Sequence, residues 1–225
     1  MDSLLFVGGV VPLTTLDYPG YISAVVFLQG CPWRCSYCHN QHLQTILPSE
    51  SLPWEDVQAL LRSRGNFIEA VVFSGGEPLV QPMLPSAIND IKKMKLRVGL
   101  HTAGAVPEML ARVATAVNWI GFDVKQLFEK YSSVTGVEGS GEAARESLKI
   151  LVESQVDFEV RITVYETMDA SDLGDLLKEI SDFGVRNVAL QKCRYLDESI
   201  IEHPIFCDGL FLEDMSKYFD GFFVR

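Results

Sequence analysis

Six short apolar runs alternate along this chain with segments of helical periodicity. The runs are rich in Val, Ile and Phe, as buried β-strands are, and the segments between them are rich in helix-forming residues. Predicted strands cover residues 22–28, 70–74, 96–101, 119–124, 158–165 and 187–191. Predicted helices cover residues 51–64, 83–94, 107–116, 141–154 and 171–183. This alternation indicates βα units around a parallel sheet, and therefore an α/β fold.

The number of units limits how such a sheet can close. Six βα units in 225 residues are fewer than a closed eight-stranded barrel requires, which typically needs ~250 residues. We therefore expect an open, partial (β/α)6 barrel in a single domain over residues 1–225, with a core at about 20–192 and a covering tail at 193–225. Large apolar residues of the tail are Phe206, Leu210, Phe211, Tyr218, Phe219, Phe222 and Phe223.

Helix boundaries can be predicted at two places. Ser51 precedes Pro53 and two acidic residues, which predicts a Ser cap for a helix that ends at Gly65. Ser171 is the predicted start of a later helix, and Gly184 is its predicted end.

Charge and hydropathy argue against two kinds of partner. The net charge is -11, and residues 138–225 carry 9 basic against 19 acidic residues, whereas residues 1–137 carry 10 against 11. An acidic surface of this kind is expected to be solvated and does not suit a phosphate backbone, so we expect no nucleic-acid binding. No apolar run approaches the ~20 residues that span a bilayer, and Asp2 stands where a signal peptide carries positive charge. We therefore expect a cytoplasmic protein with no membrane contact.

Three cysteines lie directly after the first predicted strand, at a carboxyl end where parallel α/β folds place their chemistry. Cys31, Cys35 and Cys38 have the spacing Cys-x3-Cys-x2-Cys. Soft thiolates select zinc or iron–sulfur sites. A [4Fe-4S] cluster normally takes four thiolates, so three would leave one iron open to a substrate. A structural zinc site completed by His42 is the alternative.

The other two cysteines, Cys193 and Cys207, are far along the chain. An odd total of five cysteines disfavours a full disulfide framework. We expect both to be free thiols that act as small hydrophobic residues.

The cysteine spacing, with Tyr37 directly before the last cysteine, resembles the signature of the radical S-adenosylmethionine (radical SAM) superfamily. In that superfamily the three cysteines bind a [4Fe-4S] cluster, the open iron chelates the amino and carboxylate groups of S-adenosylmethionine, and the aromatic residue lies near the adenine. The resemblance therefore implies a partial barrel of the radical SAM type, with Cys31, Cys35 and Cys38 as cluster ligands. It also implies Tyr37 and His39 as cofactor-binding residues.

Two further segments resemble a narrower group. The Tyr-Cys-His-Asn sequence at 37–40 is similar to enzymes that activate glycyl-radical proteins. The Leu-Asp-Tyr-Pro-Gly sequence at 16–20 and the Val-Val-Phe-Leu-Gln-Gly-Cys sequence at 25–31 resemble anaerobic ribonucleoside-triphosphate reductase activating proteins. Pyruvate formate-lyase activating enzymes are close to this group.

Polar or glycine residues also end the second and third predicted strands. Gly75, Gly76 and Glu77 match the Gly-Gly-Glu motif that contacts the methionine amino group in the family, although an ordinary strand-to-helix turn is the alternative. Thr102 is a candidate cofactor contact. His101 precedes it where related activating enzymes often carry an Asp that helps to bind a monovalent cation, and we assign His101 no role.

The last three predicted strands carry charged or polar residues as well. Asp123 and Lys125 lie on the same side of their strand because side chains alternate. The Asp-x-Lys match implies polar contacts to the cofactor, and an ordinary salt-bridged pair is the alternative. Arg161 lies among apolar neighbours and either holds the cofactor carboxylate or forms a structural ion pair. Gln191 is a candidate contact to the ribose.

The resemblance implies a reaction and partners. A reduced cluster would cleave S-adenosylmethionine, and the resulting radical would take a hydrogen atom from a glycine of a partner protein, with no side chain acting as general acid or base. The expected partner is the large subunit of an anaerobic ribonucleotide reductase, and the expected reductant is a flavodoxin- or ferredoxin-like protein. A radical enzyme acting on a small molecule or on another glycyl-radical enzyme, such as pyruvate formate-lyase, is one alternative. A zinc-stabilised binding module is another.

Overall fold

The computed structural model describes residues 4–48, 50–194 and 199–225. The strands are β1 (Val7–Thr14), β2 (Ser23–Leu28), β3 (Ala70–Gly75), β4 (Arg97–Thr102), β5 (Trp119–Val124), β6 (Asp157–Val164), β7 (Asn187–Lys192) and β8 (Gly221–Val224). The helices are α1 (Trp54–Ser63), α2 (Leu84–Lys93), α3 (Pro107–Val113), α4 (Tyr131–Thr135), α5 (Ser140–Glu153), α6 (Ala170–Asp182) and α7 (Gly209–Ser216).

All eight strands form one sheet in their sequence order. β1 runs antiparallel to β2, and every later neighbouring pair is parallel. The predicted α/β class and parallel sheet are confirmed, and the six predicted strands correspond to β2–β7. Within the described ranges, β1 and β8 are not paired with each other, so the sheet is open between its two edge strands.

The apolar core has two parts because side chains of a strand alternate between its faces. The larger part lies between the sheet and the helices, where residues such as Phe73, Phe122 and Ile162 are buried. A smaller cluster on the inner face of the strands contains Tyr18, Val25, Ala70, Val72 and Trp119. Tyr18 precedes β2, so its ring fills the inner face near the amino ends of the strands. The opposite, carboxyl ends are left for polar groups.

Two predicted helix caps are wrong, for different reasons. The Ser51 hydroxyl accepts from the Val7 backbone N–H at 2.8 Å, so it holds β1 instead of capping α1, which begins at Trp54. The cap of α6 is Asp169, whose carboxylate accepts from the Ser171 N–H at 2.7 Å. The predicted stop at Gly184 agrees with its φ of +94°, which favours glycine.

Four elements were not predicted, namely β1, α4, α7 and β8. The last two come from the apolar tail, where β8 extends the sheet beyond β7 and α7 contacts α6. In the part of the chain that the structure describes, no helix combines the length and the apolar character needed to cross a membrane.

Candidate functional site

A cavity of about 440 Å³ lies at the carboxyl ends of the parallel strands. It is the place where the sequence predicted a site, and it brings together residues from the cysteine loop and from β3, β4, β5, β6 and β7. The predicted site residues that line it are Cys31, Cys35, Tyr37, Cys38, His39, Gly75, Gly76, Glu77, Thr102, Asp123, Lys125 and Gln191. Arg161 is not among the described lining residues.

Several lining residues were not predicted. Thr163 lines the cavity two positions after Arg161, and the alternation of β6 could have identified it. Arg225, which follows β8, also lines the cavity, and no sequence pattern indicated this position. His101, to which the sequence assigned no role, and Cys193 also belong to this group.

The cysteine loop is fixed at its start by backbone contacts. It begins at Gly30, which has a φ of +99° and donates from its N–H to the Leu43 carbonyl at 2.7 Å. The buried Gln29 amide donates to the carbonyls of His42 and Thr45 at 3.1 and 3.0 Å. These contacts hold the chain that follows the cysteines against the end of β2. The loop is therefore a fixed structure and not a free surface segment.

The three loop cysteines are free thiols, each partly buried. Burial raises the pKa of Cys31 to about 12 and raises that of Cys35, where the nearby Lys125 ammonium acts in the opposite direction. Metal binding to these thiols must therefore displace protons. His42, the proposed fourth zinc ligand, is exposed and is not among the described residues that line the cavity.

Within the described ranges, no three His, Cys, Asp or Glu side chains lie close enough together to chelate a single metal ion. Of the two remaining cysteines, Cys193 is buried and free as expected. Cys207 is exposed, so the prediction that it packs as a small hydrophobic residue is wrong. Its position just before the α7 cap, at the end of a short 3-10 turn, leaves its side chain on the surface.

The glycine pair at the end of β3 allows two chain segments to approach. A Cβ at Gly75 would collide with the Leu28 backbone, and one at Gly76 would collide with the Gly30 carbonyl. The N–H of Gly76 donates to the Leu28 carbonyl at 2.9 Å, and the N–H of Glu77 donates to the Gly30 carbonyl at 2.7 Å. The pair therefore joins the end of β3 to the start of the cysteine loop, in addition to lining the cavity.

The Glu77 carboxylate is buried and accepts hydrogen bonds from its own chain. Donors are the Leu79 N–H at 3.1 Å, the Thr102 hydroxyl at 2.6 Å and the Ala103 N–H at 2.9 Å. Burial raises the pKa of Glu77, and these hydrogen bonds offset part of that rise. The carboxylate ties the ends of β3 and β4 together. The Thr102 hydroxyl is engaged in this contact.

Asp123, Lys125 and Arg161 form a charged group on the inner face of β5 and β6. Asp123 pairs with Arg161 in the strand register, and one carboxylate oxygen lies 3.5 Å from the Arg161 Nε. The other lies 4.0 Å from the Lys125 Nζ. The Arg161 guanidinium packs on Gly121, and its buried Nε and Nη2 lack a hydrogen-bond partner among the described residues. The distance between Arg161 and Asp123 agrees with the structural ion pair that the sequence left open as an alternative for Arg161.

The rings of Tyr37 and His101 also line the cavity. Tyr37 stacks on Tyr165 with ring centres 5.0 Å apart, and the Tyr165 hydroxyl accepts from the Gln126 amide at 2.9 Å. The His101 Nε2 lies 2.8 Å from the Asp17 carbonyl, which can only accept, so Nε2 carries the proton. Burial and the neighbouring Arg161 lower the pKa of His101 well below its ordinary value.

Known proteins resemble this chain in sequence and in fold. Residues 25–180 match the family model described as the radical SAM superfamily. A Methanocaldococcus jannaschii protein named as a glycyl-radical enzyme activating enzyme is 32% identical over 189 residues, which cover 78% of this chain and 75% of that protein. A pyruvate formate-lyase-activating enzyme of Clostridium pasteurianum is 42% identical over 92 residues, which cover 39% of this chain and 37% of the enzyme.

Solved structures share the fold at low sequence identity. Streptococcus suis SuiB bound to S-adenosylmethionine superposes with a TM-score of 0.68 at 14% identity. The match covers 88% of this chain and 48% of SuiB, so this chain spans about half the length of that protein.

Proposed function

This chain belongs to the radical SAM superfamily, and from that membership we propose that it installs a glycyl radical on the large subunit of an anaerobic ribonucleotide reductase. It is an oxidoreductase of the glycyl-radical enzyme activating group, and its cofactors are a [4Fe-4S] cluster and S-adenosylmethionine. The observation that carries the proposal is the set of three free thiols on one loop that faces the cavity at the strand ends.

We assign Cys31, Cys35 and Cys38 as the cluster ligands. The donor set fits such a cluster, because thiolates are its usual ligands and three of them leave one iron for the second cofactor. The position of exposed His42 outside the described cavity wall supports the cluster over a Cys3His zinc site. When bound, the two cofactors supply the reductive cleavage and the hydrogen-atom abstraction, and the chain supplies position and shelter from water.

The remaining walls suit the polar groups of S-adenosylmethionine. We assign the Gly75–Gly76 segment to the methionine end and Tyr37 to the adenine, with His39 beside it. Lys125 offers a partly buried ammonium group 5.8 Å from the Tyr37 ring centre, and Asp123 offers a carboxylate beside it.

Four further predicted site residues also have roles in this proposal. Gln191 is assigned to the ribose. Thr102 and Glu77 shape the wall together, because the hydroxyl of the first is bonded to the carboxylate of the second. Arg161 supports Asp123 from the layer below the cavity.

The partner assignment rests on the segments at 16–20 and 25–31, which resemble the reductase activating proteins. A flavodoxin- or ferredoxin-like protein is the proposed electron donor. Pyruvate formate-lyase is the second candidate partner, because activating enzymes of that protein are among the relatives of this chain.

Incubation of the reduced, cluster-loaded protein with S-adenosylmethionine and each purified partner tests the proposal. We expect a glycyl-radical doublet in the electron paramagnetic resonance spectrum with the reductase subunit, and none when a Cys38→Ala protein replaces the wild type. A doublet only with pyruvate formate-lyase would change the partner. Cofactor cleavage without a radical on either protein would favour a small-molecule substrate.

A further inference from the structure

Helix α4 contacts the cysteine loop through the carbonyls of its last turn. The Arg34 N–H donates to the Thr135 carbonyl at 2.8 Å, and the Ser36 N–H donates to the Val134 carbonyl at 3.0 Å. Carbonyls at a helix carboxyl end have no partner within the helix, so they are available for such bonds. Arg34 and Ser36 flank Cys35. The central cysteine is therefore held between two backbone anchors on α4.

The other end of α4 contacts the end of β5. The Tyr131 hydroxyl accepts from the Lys125 N–H at 3.1 Å and donates to the Asp123 carbonyl at 3.4 Å. Its ring lies edge-on to Trp33 of the cysteine loop, with ring centres 5.7 Å apart. Tyr131 is fully buried and is not among the described residues that line the cavity. It can therefore influence a bound cofactor only through its neighbours.

The carboxyl end of α4 is itself fixed to the next helix. The Thr135 hydroxyl lies 3.1 Å from the Tyr131 carbonyl, to which it can donate, and 2.6 Å from the Ser140 hydroxyl at the start of α5. Gly136 follows with a φ of +69°, which ends the helix. These contacts keep the carbonyls that hold Arg34 and Ser36 at a defined place relative to Tyr131.

We propose that Tyr131 is a positioning residue that joins the cysteine loop to the Asp123–Lys125 end of β5. Through α4, a change at the strand end moves the anchors of Cys35, and a change in the loop moves Lys125. The two walls between which S-adenosylmethionine binds are thus set by one short helix. The inference rests on the site assignment made under the proposed function. It goes beyond that assignment because Tyr131 touches neither cofactor.

The test compares the full-length, cluster-loaded wild type with Tyr131→Phe, which keeps the buried ring and removes the hydroxyl. Hydrogen exchange measured by mass spectrometry reports on segments 33–37 and 122–126. We expect faster exchange in both segments. We also expect the dissociation constant for S-adenosylmethionine to rise about fivefold, which is the size of effect of one typical net hydrogen bond, with unchanged iron content.

Ser133→Ala is the matched control. Ser133 lies on the same helix, is exposed, and bonds through its hydroxyl to the Lys130 carbonyl at 2.6 Å. Removal of the Ser133 hydroxyl is expected to leave the exchange rates of both segments and the cofactor affinity unchanged if Tyr131 connects the cysteine loop to β5. An effect of Ser133→Ala equal to that of Tyr131→Phe would overturn the assignment to Tyr131. Faster exchange confined to segment 122–126 in Tyr131→Phe would overturn the link to the loop.

A second variant keeps the proposal testable if Tyr131→Phe fails to fold. Thr135→Val retains Tyr131 and removes the hydroxyl that fixes the end of α4 to Ser140. We expect faster exchange at 33–37 and weaker cofactor binding, and an unchanged affinity would overturn the proposal. Failure of the proposed function would look different, because all variants and the wild type would then bind S-adenosylmethionine yet leave the partner without a radical.

Discussion

His101 is a partly buried imidazole held in one protonation state by its surroundings. Its Nε2 donates to the Asp17 carbonyl, and burial together with Arg161 lowers its pKa well below the ordinary value. The folded chain therefore leaves His101 neutral at a pH where the unfolded chain protonates it, which occurs below about 6.5. Because the unfolded state binds the additional proton, the contribution of His101 to stability is full above that pH and decreases as the pH falls.

His101→Gln removes this dependence while keeping an N–H donor for Asp17. The difference in free energy of unfolding between pH 7.5 and pH 5.5, measured in urea under anaerobic conditions, is expected to be smaller in the variant than in the wild type. Other titrating groups are common to both proteins and cancel in the comparison. Equal differences in the two proteins would show that His101 takes up its proton in the folded state.

The junction between β3 and the cysteine loop depends on the absence of a side chain at Gly76. Gly76→Ala would drive a methyl group into the Gly30 carbonyl, so one of the two segments must move. We expect less iron bound per chain and a lower free energy of unfolding. Gly9→Ala in β1 is the control, because a Cβ there meets no atom within 4 Å. Equal iron content in the two variants would contradict the proposed close approach.

The attachment of β8 depends on a buried carboxylate. Glu159 of β6 is buried and accepts from the Arg225 guanidinium at 3.0 and 2.9 Å. Arg225→Ala leaves that carboxylate without its partner, and we expect a loss of about 2 kcal/mol in the free energy of unfolding. We expect no larger loss of stability, because the Arg225 side chain is 41% exposed and water can partly solvate the carboxylate once the guanidinium is removed.

The control for the Arg225→Ala variant is an ion pair at the other end of β8. Arg186 pairs with Asp220 just before β8, but the two side chains are 76% and 70% exposed. Removing Arg186 is therefore expected to cost no more than about 0.5 kcal/mol. If Arg186→Ala and Arg225→Ala had equal effects on denaturant unfolding, burial of Glu159 would not be the cause.

The elements that the sequence predicted are those with a clear pattern of apolar residues. The strands β2–β7 are continuous β-branched runs buried on both faces, and each was placed within two residues of its observed bounds. β1 contains two glycines and a proline and lies at an edge, so it lacks that pattern. α4 and β8 have five and four residues, too few to show a period.

The protein assembles its cavity from most of its length, because the strand ends of a parallel sheet converge. Strand-end reasoning therefore found many of the residues that line the cavity, from Cys31 to Gln191, but it missed Thr163 and wrongly included Arg161. It could not find which polar atoms are already engaged within the chain, such as those of Glu77 and Thr102. Those bonds depend on the spacing between neighbouring strands. Tyr131 could not be identified from the sequence for the same reason, because its hydrogen bonds depend on how the folded segments are spaced.

Electron paramagnetic resonance of the reduced, full-length protein before and after addition of S-adenosylmethionine tests the central claim most directly. The claim is that Cys31, Cys35 and Cys38 hold a [4Fe-4S] cluster with one iron open to that cofactor. We predict a cluster signal that changes when the cofactor is added and that is absent from Cys31→Ala, Cys35→Ala and Cys38→Ala proteins. A signal that the cofactor leaves unchanged, or one that survives the loss of any of these thiols, would contradict it.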